Sequence, residues 1–143
     1  MGIFLDHIGI ATHNLNDSSP FWELLGLMND SPDECVIDQG VTTRFFSTTV
    51  LPTPIPPPMV ELLEPTSENT PIGKFLKNRG PGIQQICFRV DNLVEMLTKL
   101  RQHGVQLIDE VPRKGAHGKL IAFVHPSSTG GVLVELTQSN QTE

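Results

Sequence analysis

The chain has 143 residues and carries 10 Lys and Arg against 16 Asp and Glu, a formal net charge of −6 with neutral histidines. Apolar residues make up 38% and charged residues 18%, which is typical of a globular protein and excludes a disordered chain. The acidic balance argues against nucleic acid as a partner, because duplex binding depends on clustered cations. No apolar run in the sequence approaches the length of a membrane span.

The cysteines and the N-terminal residues indicate the compartment. Cys35 and Cys87 belong to no Cys-x-x-Cys motif and no Cys/His cluster, so we expect two thiols of a reducing compartment. The first residues, MGIFLDHIGIAT, run directly into a strand-like pattern without the basic segment that is typical of a signal peptide. We therefore expect a cytoplasmic protein.

The chain contains two related segments. When residue 7 is placed on residue 85, a shift of 78 positions (85 − 7), both segments show a strand, a polar turn, an amphipathic helix and a glycine in the same order. The pattern indicates a fold built from two copies of one unit. The best-matched positions are Ile8 with Ile86, Asn14 with Asn92, Leu15 with Leu93, and Gly26 with Gly104.

The first copy begins with the strand HIGIAT and continues with a helix that includes Leu15, Trp22 and Leu25 and ends at Gly26. Pro20 is tolerated near the start of this helix but costs stability deeper inside it. The proline-rich stretch LPTPIPPP is predicted as a loop, since proline cannot donate to a sheet. Three strands are predicted near residues 34–38, 41–50 and 59–65.

A short helix is predicted over residues 69–80, with Pro71 near its start and Gly80 after its end. The second copy then repeats the strand and the helix, in which Asp91 or Asn92 is the N-cap and Gly104 the C-cap. Its apolar residues at helical spacing are Leu93, Met96, Leu97 and Leu100. Its three further strands are predicted near residues 105–109, 120–126 and 131–138.

These elements predict an α+β protein made of two tandem βαβββ modules. The modules cover about residues 3–66 and 82–138, and the helix at about 69–80 connects them within a single domain of residues 1–143. The sheets are expected to be mixed, mostly antiparallel and curved. A sheet of this kind has a concave face, which is where we expect a cleft.

Polar residues occupy matched positions in the two copies. His7 and Gln85 lie at equivalent places in the first strands, and Glu61 and Glu135 lie between apolar neighbours in the last strands. Because side chains alternate along a strand, equivalent residues point to the same surface. Either glutamate alone fits a solvent-facing position, but their recurrence favours one divalent cation in the cleft. Such mixed nitrogen and oxygen ligation suits cobalt, nickel, manganese, magnesium or zinc.

Other polar residues are less informative. Arg113, Lys114, His117 and Lys119 form a basic patch that fits a small phosphorylated ligand and fits a solvated loop equally well. The turn GAHGK lacks the spacing and the Ser or Thr of a Walker loop. The remaining histidines are expected at the surface or at the end of a strand, namely His13, His103 and His125.

Several stretches resemble methylmalonyl-CoA epimerases, which belong to the vicinal oxygen chelate superfamily together with glyoxalase I enzymes. They are LDHIGIAT, VELLEP followed by PIGKFL, RGPGI with QICFRVDN, and GAHGK with FVHP and GGVLVELTQ. The resemblance covers nearly the whole chain, is most specific over residues 115–138 and is poorest over residues 48–58. It implies the glyoxalase-like fold of paired βαβββ modules.

The resemblance also assigns site residues. It places metal ligands at His7, Glu61 and Glu135. In the epimerases the fourth ligand is the second His of a pair, and this chain has Gln84-Gln85 there, so Gln85 takes that role. Some family members carry a further acid on the strand that reads GVTTRFF here, where this chain has a threonine and an arginine, Thr43 and Arg44.

The function implied by the resemblance is that of an isomerase, which interconverts the C2 epimers of methylmalonyl-CoA through a metal-stabilised enediolate. Glu135 or Glu61 would remove the C2 proton, and Lys114, His117 and Lys119 would contact CoA phosphates. The resemblance further implies a homodimer. Two alternatives stay open, a glyoxalase I-like lyase that acts on a hemithioacetal and a non-catalytic member of the superfamily that binds a small molecule.

Overall fold

The computed structural model describes residues 2–48 and 54–138. Its first module consists of β1 (Phe4–Ala11), α1 (Leu15–Leu25), β2 (Glu34–Val36), β3 (Val41–Ser47) and β4 (Met59–Pro65). The helix α2 (Pro71–Arg79) follows. The second module consists of β5 (Gly82–Arg89), α3 (Leu93–Gln102), β6 (Arg113–Lys114), β7 (Leu120–Val124) and β8 (Val134–Gln138). The predicted α+β class and the repeated βαβββ order are confirmed.

Contacts divide the chain into two compact units, His7–Gln84 and Met1–Asp6 together with Gln85–Glu143. In the unit His7–Gln84 the strand order is β2-β3-β4-β1, in which β4 pairs with β1 in parallel and the other pairs are antiparallel. One face of this sheet packs against α1 through the buried residues Leu15, Phe46 and Leu62. His7 of β1 and Glu61 of β4 alternate with the apolar residues that face α1, so their side chains lie on the other face of the sheet.

The helix α1 forms where the sequence predicts it. The side chain of Asn14 caps it by accepting a hydrogen bond from the Asp17 backbone nitrogen at 2.9 Å, and Gly26 ends it at a φ of +117°. Pro20 lies at the sixth helical residue, beyond the first turn. The helix therefore tolerates a proline beyond its first turn, where proline costs least. Packing of the helix on the sheet compensates for that cost.

The unit Met1–Asp6 with Gln85–Glu143 repeats this arrangement. Its strand order is β5-β8-β7-β6, with β5 and β8 parallel and the remaining pairs antiparallel. Asn92 caps α3 by accepting from the Glu95 backbone nitrogen at 3.0 Å, and Gly104 follows the helix at a φ of +81°. The core between α3 and the sheet consists of Val90, Leu93, Leu97, Ala122, Val124 and Leu136.

The prediction of a strand near residues 105–109 is wrong. These residues, all of them described, form no strand and make a single bridge from Leu107 to Val124. The backbone nitrogens of Ile108 and Asp109 both donate to the carbonyl of Phe123, so the segment turns away instead of continuing a ladder. The edge strand that pairs with β7 on the side away from β8 is β6, which begins four residues further along.

Other strands are shorter than predicted. The strand near residues 34–38 ends at Val36, where a 3₁₀ turn over Ile37–Gln39 begins, and the strand near 120–126 ends at Val124 before the 3₁₀ turn Pro126–Ser128. The strand near 131–138 begins at Val134, because the glycine at 131 has a φ of +104°. The strand near 41–50 ends at Ser47, with residues 49–50 outside the described part. Within the predicted loop at 51–58, the described residues 54–58 form no strand.

Two further expectations concern the whole chain. Within residues 2–48 and 54–138, no helix combines the length and the apolar character needed to span a bilayer. Neither the exposed Cys35 nor the buried Cys87 takes part in a disulfide bond.

Arg44 of β3 forms an ion pair on the face of the sheet that α1 covers, and this pair leads to a prediction about stability. Arg44 on β3 donates through Nε and NH2 to both carboxylate oxygens of Asp33, at 2.8 and 2.7 Å, and through NH1 to Ser19 on α1 at 2.9 Å. The Arg44 hydrogen bond lowers the pKa of Asp33 below its ordinary value of 3.8. The pair is therefore a link between the helix, the loop before β2 and the sheet.

We expect Asp33→Asn to reduce the free energy of unfolding at pH 7 by up to about 1 kcal/mol, discounted for screening because the Asp33 side chain is 37% exposed. Because the folded-state pKa is lowered, this contribution is present above the unfolded pKa and is lost as the pH falls through the folded one. Urea unfolding at pH 7 and near pH 3 measures it. Asp30→Asn is the control, and an equal loss in both variants, or a loss that persists at low pH, contradicts the prediction.

Candidate active site

In the unit His7–Gln84 two predicted ligands lie side by side. His7 is on β1 and Glu61 on β4, and the register of these parallel strands places Gly9 beside Glu61, two residues from the histidine. The distance from His7 Nε2 to Glu61 Oε1 is 3.0 Å, and both residues are buried, with 6% and 4% of their surface exposed. The alternative of a solvent-facing Glu61 is excluded.

Strand geometry explains this orientation. Ile10, Val60 and Leu62 point into the core against α1, so the intervening residues on β1 and β4 point to the opposite face. On that face Phe45 of β3 lies in register with Glu61. Its ring meets the imidazole of His7 edge to face, with 5.5 Å between the centroids. This ring contact therefore helps to hold the imidazole of His7 beside the carboxylate of Glu61.

The second unit contains the matching pair. Gln85 on β5 donates from Nε2 to Oε1 of Glu135 on β8 at 2.6 Å, and both residues are 5% exposed. Cys87 lies in register with Glu135 and is fully buried. The solvent-facing alternative is excluded for Glu135 as well. In each module, then, a carboxylate of the last strand is bound to a nitrogen-bearing side chain of the first strand.

The donor types in these two pairs fit a divalent cation. His7 offers an imidazole nitrogen, Glu61 and Glu135 offer carboxylate oxygens, and Gln85 offers an amide oxygen after a half-turn of its amide group. Nitrogen and oxygen ligands of this kind bind first-row divalent metals and, where oxygen dominates, magnesium. Buried carboxylates are costly unless their charge is balanced, and a cation would contribute that balance when bound.

The three residues predicted to contact CoA phosphates surround the connection between β6 and β7. Lys114 ends β6, His117 is exposed at a φ of +61° in the turn, and Lys119 precedes β7. The turn is closed by hydrogen bonds from the Gly115 nitrogen to the Lys119 carbonyl at 2.9 Å and from the Lys119 nitrogen to the Ala116 carbonyl at 3.3 Å. The three side chains thus lie along one short hairpin.

The remaining histidines are peripheral, as predicted. His13 and His103 are exposed. His125 follows β7 and accepts a hydrogen bond at Nδ1 from the Ser127 backbone nitrogen at 3.0 Å, which caps the 3₁₀ turn after the strand.

Thr43 and Arg44 of β3 stand near the position where some family members carry a further acid. Their side chains point to opposite faces of the sheet. Thr43 is 2% exposed and lies on the face of Phe45, whereas Arg44 points to Asp33 and Ser19 on the helix side. The arginine is therefore excluded from the face that carries His7 and Glu61. The described sequence of this strand, Val41–Ser47, contains no carboxylate.

One ion pair was missed at the level of sequence. Asp6, on β1, is 6% exposed, and Arg89 at the end of β5 donates to its Oδ1 from NH2 at 2.7 Å and from Nε at 3.2 Å. Lys119 Nζ lies 3.7 Å from the same oxygen. The signal available in the sequence was an aspartate in an otherwise apolar strand, directly before the predicted ligand His7.

Comparisons with known proteins show the family to which the chain belongs. Residues 6–123 match the family model of the Glyoxalase/Bleomycin resistance protein/Dioxygenase superfamily. A Bacillus subtilis protein of uncharacterized function, YqjC, is 42% identical over 94% of this chain and 91% of its own length. The mitochondrial methylmalonyl-CoA epimerase of Dictyostelium discoideum is 37% identical over 94% of this chain and 77% of its own length.

Among solved structures, a variant of the Streptomyces coelicolor methylmalonyl-CoA epimerase in complex with 2-nitronate-propionyl-CoA is 32% identical to this chain. The match covers 98% of this chain and 96% of that one, with a TM-score of 0.90. The similarity therefore extends over both βαβββ modules.

The hairpin of Lys114–Lys119 depends on close packing at Gly115. A Cβ at this buried glycine would approach Ile121 Cγ2 to 2.9 Å and Cδ1 to 3.0 Å. We expect Gly115→Ala to lower the free energy of unfolding by about 1–3 kcal/mol through overpacking, measured by urea denaturation. Introduced on an Ile121→Ala background, where these contacts are gone, the same change should cost less. Equal losses on both backgrounds contradict the account.

Proposed function

Because the chain belongs to the Glyoxalase/Bleomycin resistance protein/Dioxygenase superfamily and, within it, to the methylmalonyl-CoA epimerase family, we propose that it interconverts the two C2 epimers of methylmalonyl-CoA. The protein is an enzyme of the epimerase and racemase type. The choice of site rests on two buried carboxylates, Glu61 and Glu135. Each lies beside a polar residue on the first strand of its own module.

The proposed site joins the two pairs around one divalent cation, with His7, Glu61, Gln85 and Glu135 as ligands. The support is the donor chemistry of the pairs, their burial and the family to which the chain belongs. Cobalt, nickel, manganese, magnesium and zinc all accept such a donor set. When bound, the cation would supply Lewis-acid stabilisation of the negative charge that develops on the thioester oxygen.

The protein side chains would carry the proton transfer. Glu135 or Glu61 would take the C2 proton, and a group on the opposite face of the substrate would return one with the other stereochemistry. Gln85 Nε2 donates a hydrogen bond to Glu135 at 2.6 Å, and His7 Nε2 lies 3.0 Å from Glu61, so each carboxylate has a nitrogen-bearing partner beside it. Burial of both glutamates keeps bulk water away from the carbanion-like transition state.

The substrate would extend from these carboxylates toward the β6–β7 hairpin. Lys114, His117 and Lys119 are proposed to contact CoA phosphates there, and their positions on one short turn support this assignment. An acyl-CoA substrate is supported by the epimerase structure that holds methylmalonyl-CoA, which is 32% identical to this chain with a TM-score of 0.89.

A glyoxalase I-like lyase is the second candidate. Gln85 favours it, since an amide ligand replaces the histidine that the epimerases carry, and the superfamily model includes glyoxalases. Loss of methylglyoxal in the presence of glutathione, followed by absorbance of the thioester product, separates this activity from epimerisation.

We also propose a homodimer, on the ground of the family resemblance alone. Sedimentation equilibrium at micromolar concentration measures the mass of the particle, and a monomer of 15.7 kDa contradicts the proposal.

The epimerase proposal predicts exchange of the C2 proton. In deuterated buffer, metal-loaded protein should replace the C2 proton of methylmalonyl-CoA with deuterium, followed by NMR. Glu135→Gln and Glu61→Gln remove the candidate bases and should slow exchange about 100-fold or more. Glu95→Gln, on the exposed side of α3, is the matched control and should exchange normally. A metal-loaded wild-type protein that leaves the C2 proton in place refutes epimerisation.

The shared cation predicts a stoichiometry. Elemental analysis after dialysis should find one divalent ion per chain, and a chelator should lower the melting temperature because the ion binds the folded state. His7→Ala from one pair and Glu135→Ala from the other should each abolish tight binding of that same ion. Two ions per chain, each lost through one variant, would instead indicate separate sites.

A further inference from the structure

A cavity of about 340 Å³ lies between α3 and the sheet in the unit Met1–Asp6 with Gln85–Glu143. Its walls are almost wholly apolar and include Phe88 of β5, Leu100 of α3 and Val124 of β7. All of its lining residues belong to the described part of the chain, and none of them carries a charge. A volume of this size lies in the range of cavities that bind small molecules.

The cavity lies on the opposite side of β8 from the candidate ligand Glu135. Val134 and Leu136 line it, and Glu135 stands between them in the strand. Because side chains alternate along a strand, Glu135 points to the other face of the sheet. The cavity is therefore separate from the candidate active site, and a molecule bound in it would contact the back of the strand that carries Glu135.

The two modules fill this position differently on their helices. Leu100 of α3 is the equivalent of Trp22 of α1, at the same shift of 78 positions that relates His7 to Gln85. In the first module Trp22 packs against the core between the helix and the sheet. In the second module Leu100 packs against the corresponding core and lines the cavity. The indole ring of the first module is therefore replaced by a much smaller side chain in the second.

The strands show a second difference of the same kind. Phe46 and Val124 occupy equivalent places, each one residue beyond the phenylalanine that lies opposite the glutamate of its module. Phe46 is buried in the first core, whereas the smaller Val124 lines the cavity. Phe88, at the place of Ile10, restores a single ring. On balance the second module lacks one large aromatic side chain that the first module contains.

The polar groups of the cavity wall are already bonded to the backbone. Ser128 Oγ accepts a hydrogen bond from the Gln106 backbone nitrogen at 2.8 Å, and Thr129 Oγ1 accepts one from the Val132 backbone nitrogen at 3.0 Å. A charged group buried here would find no opposite charge in the wall, which is costly. Ile3 contributes to the wall but stays 59% exposed, so its side chain does not fill the cavity.

We propose that this cavity binds a neutral, flat aromatic molecule of about the size of indole. The ligand would take the place in the second module that the side chain of Trp22 takes in the first. Contacts with the ring and the release of water from the apolar walls would provide the affinity. The inference does not depend on the proposed function, because the cavity lies on the opposite side of the sheet from Glu135.

Calorimetric titration with indole tests the site. We expect a dissociation constant of about 0.1–1 mM, which is ordinary for so small a ligand. Leu100→Trp supplies the ring from the chain itself and should weaken indole binding about ten-fold or more. Leu24→Trp makes the same substitution at a residue of α1 that is 88% exposed, so this matched control should bind indole as the wild type does.

The charge of the ligand provides an independent test on the wild-type protein. Indole-5-carboxylate would bring an anion into the uncharged cavity and should bind about ten-fold or more weakly than indole. Nuclear Overhauser contacts from indole to the methyl groups of Leu100 and Val124 should locate the ring without any substitution. Equal affinity for the two probes, or contacts to other parts of the protein alone, overturns the proposal.

Overpacking by the larger side chain is checked with a second variant. Val124→Phe fills the cavity from the sheet with the residue of the first module and should weaken indole binding as Leu100→Trp does. Indole should raise the melting temperature of the wild type and of Leu24→Trp, but not that of the two filled variants. A wild type that does not bind indole, or filled variants that bind it equally well, overturns the proposal. A wild-type dimer that both filled variants convert to a monomer also overturns it, because a second copy would then occupy the cavity.

Discussion

The alternation of side chains along β-strands is the constraint on which the other features depend. In each unit one face of the sheet is covered by a helix, and the apolar residues of the strands are committed to that contact. Every second residue is then forced to the opposite face. His7, Glu61, Gln85 and Glu135 occupy these alternate positions, so the packing of α1 and α3 determines the direction in which the candidate ligands point.

The opposite face holds its charged residues at a cost in stability. Glu61 and Glu135 are at least nine-tenths buried, and a carboxylate in such surroundings loses its hydration. The imidazole of His7 and the amide of Gln85 replace part of that hydration at 3.0 and 2.6 Å. The same bonds orient the carboxylates for the proposed proton transfer, so one set of contacts contributes to both folding and function.

Two arginine–aspartate pairs illustrate how position decides the role of the same chemistry. Arg44 and Asp33 lie on the helix side, where Arg44 also donates to Ser19 and so links the sheet to α1. Arg89 lies at the end of β5 and donates to Asp6 of β1, which Lys119 also approaches. The first pair is a structural link, while the second presents a cation beside the proposed path of the substrate.

The sequence alone determined the features that depend on residues close together along the chain. The helical spacing from Leu93 to Leu100, the capping residues Asn14 and Asn92 and the alternation around Glu61 and Glu135 are local patterns, and the structure follows them. Tertiary structure decided what depends on distant partners. β7 forms a ladder with Arg113–Lys114 and only an isolated bridge with residues 105–109, and Asp6 meets Arg89 across 83 positions of the chain. Periodicity fixes which face a residue occupies, but the partner on that face follows from strand register, which local sequence does not encode.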